Sequence, residues 1–93
     1  EFDVCLNLGG IANLSTEHKN KRSAFDICYA NMALNFLAQK SNKAFDKNGA
    51  MASDGHVHEG LLKSLTKVYT ALRKTRPSLS REIFEKQIKP LLN

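Results

Sequence analysis

The sequence is poor in cysteine, with only Cys5 and Cys28, whereas an exported disulfide framework normally needs more cysteines at tighter spacing. Both are flanked by apolar residues on expected strands, so they read as buried free thiols in a reducing, cytoplasmic setting. No apolar stretch is long enough for export or for spanning a bilayer, and no membrane partner is expected. There is no internal repeat and no low-complexity tract. Aromatic residues make up 8% of the chain, and none is interleaved with the basic cluster HKNKR at 18–22. The net charge of +5 therefore reads as a solvated surface and not a nucleic-acid interface, which would set stacking platforms beside its cations. His56 and His58 stand two apart with no Cys or carboxylate at ligand spacing, so no metal site is expected.

What is present is an ordinary globular composition, 42% hydrophobic and 25% charged over 93 residues, enough for one modest core. The chain begins inside an apparent strand, EFDVCLNL, with no initiator Met and no charged leader. Residues 1–93 are accordingly expected to be a single partial domain, cut from a longer chain. A sheet cut from its neighbours leaves an edge strand and apolar patches that invite self-association, a homodimer included.

Phe2, Val4, Leu6 and Leu8 alternate with Asp3, Cys5 and Asn7, the period-two pattern of a strand. Gly9-Gly10 ends it, and residues 11–15 resume extended character, so the simplest reading is a hairpin whose tight turn needs positive φ at glycine. Residues 16–23 read as a polar connection and AFDICY, 24–29, as a third short strand. From Asn31 the period changes. Met32, Leu34, Phe36 and Leu37 cluster on one side of a helix with Lys40 near its C-terminal end, where a cation suits the dipole.

Residues 42–55 break the pattern with Asn, Asp and Gly and read as an ordered loop. Val57, Leu61, Leu62, Leu65, Val68, Tyr69 and Leu72 trace the stripe of a second helix, with Ser53 or Asp54 at its N-terminus. After a stop at RKTRPS, Ser80 caps a short third helix with Glu82 in its first turn and Ile83, Phe84 and Ile88 inward, ended by Pro90. Three strands followed by about three helices define an α/β layer of α+β character.

Two features carry chemistry. A turn with two glycines lets the main chain approach a ligand, and successive N–H groups there form an anion site; equally, any hairpin can use Gly-Gly. Asp26 lies near the end of an apolar strand that runs toward a helix start. There it can face a crevice as a general base, or cap the coming turn or pair with a basic neighbour. Asn31 can cap the helix or donate its amide to a ligand oxygen. Asp46 with Gly49 most simply makes an Asx-type turn.

CLNLGGIANLS, FDICYANMALNFLAQ, FDKNGAMA and RPSLSREIF, in that order, resemble the central part of anhydro-N-acetylmuramic acid kinases, and the match runs nearly end to end. The resemblance implies part of an actin-like ATPase, ribonuclease H-like domain. It also implies a parent enzyme that uses ATP, Mg2+ and water to open the 1,6-anhydro ring of anhydro-N-acetylmuramic acid, giving the 6-phosphorylated sugar for cell-wall recycling. By the same resemblance Asp26 is the catalytic base. Gly9 and Gly10 offer N–H groups to the γ-phosphate, Asn13 steadies their turn, and Asn31, Asp46 and Arg81 stand at substrate positions. Arg81 with Glu82 also reads as a helix-start charge pair. After the aspartate the family usually reads Thr-Gly-Pro-Gly-Asn; here Ile27, Cys28, Tyr29 and Ala30 intervene and only Asn31 is kept. The partners implied are the sugar, ATP and the rest of the parent chain. The 93 residues alone are expected to be inactive because only one wall of the cleft is present.

Overall fold

The computed structural model describes residues 2–93; Glu1, placed in the first strand by the sequence pattern, lies outside the described residues. Strands β1 (Phe2–Leu8), β2 (Ile11–His18) and β3 (Lys21–Tyr29) form an antiparallel meander in the order β1-β2-β3. The connection expected over 16–23 is instead mostly strand. β2 and β3 meet in a two-residue turn at Lys19 and Asn20, whose φ values of 50° and 64° give the primed turn that matches strand twist. The polar residues of this hairpin tip are solvated on both faces, so their alternation carries no apolar signal.

The glycine turn differs from expectation in another way. Neither Gly9 nor Gly10 has a positive φ; that conformation belongs to Gly49, at 66°. The turn is used through its carbonyls. Gly10 O accepts from the N–H groups of Ala30 (2.9 Å) and Met32 (3.0 Å), and Gly9 O accepts from that of Asn31 (3.1 Å). Helix α1 (Asn31–Lys40) is thus capped by main chain from the hairpin, and Asn31 is its first residue and not its side-chain cap.

A 3-10 turn at Lys47–Gly49 leads into α2 (Ala50–Ser53), which falls within the expected loop. Helix α3 (Glu59–Thr75) starts later than Ser53 or Asp54 would have it. Its cap is His58, whose Nδ1 accepts from the Leu61 N–H at 3.0 Å, so neither histidine of HVH lies within the helix. The last helix comprises α4 (Arg81–Ile83), a π turn (Phe84–Ile88) and α5 (Lys89–Leu92). Ser80 caps it as expected, Oγ accepting from Ile83 N at 3.2 Å. Pro90 does not end it. It sits in the first turn after the π turn, where a missing N–H is tolerated.

The core lies where this helix meets the sheet: Tyr29, Leu79, Phe84 and Ile88 are buried, with Ile11, Met32, Phe36 and residues of α3 packed around them. Tyr29 donates its backbone N–H to the Tyr69 hydroxyl (3.1 Å) and its own hydroxyl to Ser80 O (2.5 Å), while its ring meets that of Phe84 edge-on. In α1 Ala38 is buried and Met32, Ala33 and Phe36 pack against the core; Leu34 and Leu37 face outward, as do Val57 and Leu62 of the second expected stripe. Cys5 is exposed, against expectation, and Cys28 half-buried, both free.

Val4, Leu6 and Leu8 are 54%, 57% and 67% exposed along one face of β1. The radius of gyration is 15.1 Å, against about 12 Å for a compact domain of this length, because the far end of the sheet projects beyond the helices. Among the described residues no helix is long and apolar enough to cross a membrane.

Two measurements probe this core. Ile88 is 1% exposed, so Ile88→Ala is expected to cost about 2–5 kcal/mol in urea denaturation, a large share of a small domain's total stability. Burial raises the pKa of both Tyr29 and Tyr69 above the ordinary 10.0, outweighing the hydrogen bonds that lower them. The unfolded chain therefore gives up these protons first. Stability from this pair is complete below pH 10 and lost as pH rises through the folded values, a decline that Tyr69→Phe should lessen.

Candidate active site

Asp26 sits on β3 just before the strand's irregularity. Asn13 of β2 is its register partner, and Asn7 of β1 is the partner of Asn13, so the three form one polar row across the sheet. Register shifts next to this row: Ala12 pairs with Cys28, leaving Ile27 as an extra residue in a bulge. The bulge turns Tyr29 into the core while Asp26 remains half-buried at the sheet's edge. Its Oδ2 accepts the N–H of Leu79 at 2.8 Å, a bond from the loop between α3 and α4 that fixes the carboxylate's orientation. Among the described residues nothing donates to Oδ1.

Asp26 lines a cavity of about 110 Å3 with Phe25, Ile27, Tyr69, Leu72, Arg73, Arg76, Pro77 and Leu79. The two arginines are additions to the residues singled out in the sequence. A local signal exists in the stop RKTRP: Arg76 follows the last residue of α3 and takes the left-handed conformation, φ 45° and ψ 53°. Its guanidinium lies over the Phe25 ring, 5.3 Å from the centroid.

The other candidate residues are divided among different places. Asn13 faces Asp26 across the strands, but Gly9 and Gly10 belong to the hairpin end that caps α1 and are not in the cavity wall. Buried Tyr29 and its register partner Ile11, partly buried, stand between. A Cβ built on Gly10 meets no atom within 4 Å, and one on Gly9 meets only Ile11 O at 3.9 Å. With no positive φ and no crowding, the fold itself places no demand for glycine there.

Asn31 and Asp46 share a second hollow beside α1 and α2, apart from that of Asp26. Both oxygens of Asp46 are occupied, Oδ1 by Met51 N at 2.8 Å and Oδ2 by Ala52 N at 3.0 Å. With Gly49 left-handed at the cap of α2, this is the local turn-forming role. Arg81 is exposed at the start of α4; the Glu82 carboxylate pairs with Lys86 at 2.9 Å and not with Arg81.

The arrangement is a carboxylate oriented by a main-chain N–H at the rim of a small cavity, on an α+β scaffold. The chain belongs to the anhydro-N-acetylmuramic acid kinase family, whose model matches residues 1–89. It is 37% identical over 87 residues to the anhydro-N-acetylmuramic acid kinase of Shewanella frigidimarina, covering 89% of this chain and 23% of that protein. The kinases of the same name from Clostridioides difficile and Pseudomonas savastanoi are 34% and 33% identical, covering 84% and 85% of this chain. In each of these two the match spans 22% of the relative's length. The chain thus spans under a quarter of the curated relatives it matches.

Asp46→Ala removes both bonds to the start of α2 and is expected to lower stability by about 0.5–2 kcal/mol in chemical denaturation. Gly10→Ala has the opposite sign. With room for a Cβ and an ordinary φ, it is expected to stabilise by about 0.4–1 kcal/mol through the unfolded state, as a comparison of urea midpoints will show.

Proposed function

We propose that the chain is part of an ATP-dependent sugar kinase that opens the 1,6-anhydro ring of anhydro-N-acetylmuramic acid with water and phosphorylates O6, in the cytoplasmic recycling of peptidoglycan. Family membership supports the reaction class. The observation that carries the residue assignment is Asp26, a half-buried carboxylate with one oxygen held by Leu79 N–H and the other free at a cavity. In this reading Asp26 accepts a proton from water as the water oxygen bonds to the anomeric carbon. The bond from that carbon to O6 breaks, and O6 takes the phosphoryl group as ADP leaves. A positioned base of this kind contributes roughly 10²–10⁴ in rate.

The scaffold reading is that these residues open the second lobe of an actin-like, ribonuclease H-like fold. The exposed row Val4, Leu6 and Leu8 and the elongated shape support its being one part of a larger body. The nucleotide's phosphates fit the glycine turn, since Gly10 leaves open space where a side chain would stand. Gly9 and Gly10 approach the phosphates, with Asn13 steadying the hairpin behind them, and Asn31 and Arg81 are the remaining candidates for sugar contacts. Among the described residues no three metal-ligating side chains gather, so Mg2+ would be held through the phosphates, whose charge it neutralises.

A second reading, a non-catalytic module descended from such a kinase, is favoured by Tyr29. Its buried ring stands in the stretch where the family usually carries the glycine- and proline-bearing loop.

A coupled ADP-release assay with the anhydro-sugar tests these assignments. A parent chain extended at both ends should turn over, the 93 residues alone should not, and Asp26→Asn in the parent should reduce kcat by at least 100-fold. Unchanged turnover in the Asp26→Asn parent would remove Asp26 as base and favour the non-catalytic module.

A further inference from the structure

Arg73 and Arg76 both line the small cavity that Asp26 lines, and the Arg76 guanidinium lies over the Phe25 ring of its wall. Among the described residues neither lies within ion-pair distance of a carboxylate; the ion pairs are those of Arg22, Lys86 and Lys89. The cavity's charged groups therefore sum to one positive charge, two cations against the Asp26 carboxylate. Phe25, Ile27 and Leu72 make much of the remaining wall apolar, which strengthens the pull of these cations on an entering anion.

Arg76 takes the left-handed conformation after α3, and its guanidinium crosses the Phe25 ring at the cavity, 5.3 Å from the centroid.

We infer that Arg73 and Arg76 form an anion clamp that holds a carboxylate or phosphoryl group of the ligand beside Asp26. The inference rests on the kinase reading for the ligand's identity, because muramic acid carries a lactyl carboxylate that N-acetylglucosamine lacks, and a phosphoryl group is the other anion in the reaction. Guanidinium suits both, since its planar fork takes two oxygens at once. Arginine here sets position and selectivity; the proton transfer stays with Asp26.

The clamp can be tested on the 93-residue chain without turnover, by following arginine side-chain and Leu79 amide resonances in nitrogen-15 spectra. The probes are N-acetylmuramic acid, N-acetylglucosamine and inorganic phosphate, titrated against a chloride control at matched ionic strength. A response to N-acetylmuramic acid and not to N-acetylglucosamine supports carboxylate recognition; a response to phosphate with neither sugar supports the phosphoryl source. Arg73→Gln, on the exposed side of a helix, and Arg76→Lys, which keeps the charge but not the fork, should each weaken the response about tenfold with backbone spectra otherwise unchanged. No response to either anion, equal responses to both sugars, or responses that survive both substitutions would overturn the clamp. None of these outcomes depends on the Asp26→Asn turnover assay, so the failure of one assignment is separable from the failure of the other.

Discussion

Tyr29 holds the three parts of the molecule together. Its backbone N–H is an edge-strand donor that would otherwise lack a sheet partner, and the hydroxyl of Tyr69 on α3 accepts it. Its own hydroxyl reaches Ser80 O at the entrance to the last helix, and its ring packs on Phe84 within that helix. The loop that carries Leu79 is thereby pinned against the sheet within reach of Asp26. The orientation of the carboxylate is a consequence of this pinning: Leu79 N lies 53 residues further along the chain and depends on both ends of the loop being fixed. Without such an anchor, the ordering entropy of this five-residue loop would compete with a single hydrogen bond.

Much of the scaffold was legible because its signals are local. Alternation in 2–8, the change of period at Asn31, and Ser80 three residues before Ile83 each declare an element within a few positions. The failures have physical causes. Residues 16–23 form strand although they are polar on both faces, because the twist of a primed turn extends a ladder that needs no apolar side. His58 caps α3 through a ring nitrogen, a less familiar acceptor than the Ser53 or Asp54 oxygens that stand closer to the expected start. Leu34 and Leu37 obey helical spacing but lie on the side of α1 that the present residues do not cover.

The site was legible in its types and not in its grouping. Asp26 at a strand exit and Gly9-Gly10 at a hairpin are sequence-visible, yet the cavity beside Asp26 is completed by Arg73 and Arg76 from the far end of α3, a contact that no local pattern encodes. Asp46 was readable as a turn former because its partners are five and six residues away. Cys28, Tyr29 and Ala30 stand where the resemblance puts glycine, proline and glycine, and here the stretch is bulged strand as far as Tyr29. In this chain the main chain after Asp26 contributes to the core, and the charged groups around the carboxylate come from another element.

The wide turn at Phe84–Ile88 sets the phase of everything after it. An α-helix advances about 100° per residue, so one surplus residue swings the following side chains through more than a quarter circle. Within the turn Phe84 and Ile88 enter the interior, and after it Lys89 lies over the Phe36 ring, which Lys40 also approaches while its ammonium reaches the Leu92 carbonyl. Shortening the turn by a single residue would leave the composition and length of the helix nearly intact yet unlatch its end from α1. Here the count of residues in one coil, more than their chemistry, decides whether the carboxyl end of the chain stays docked.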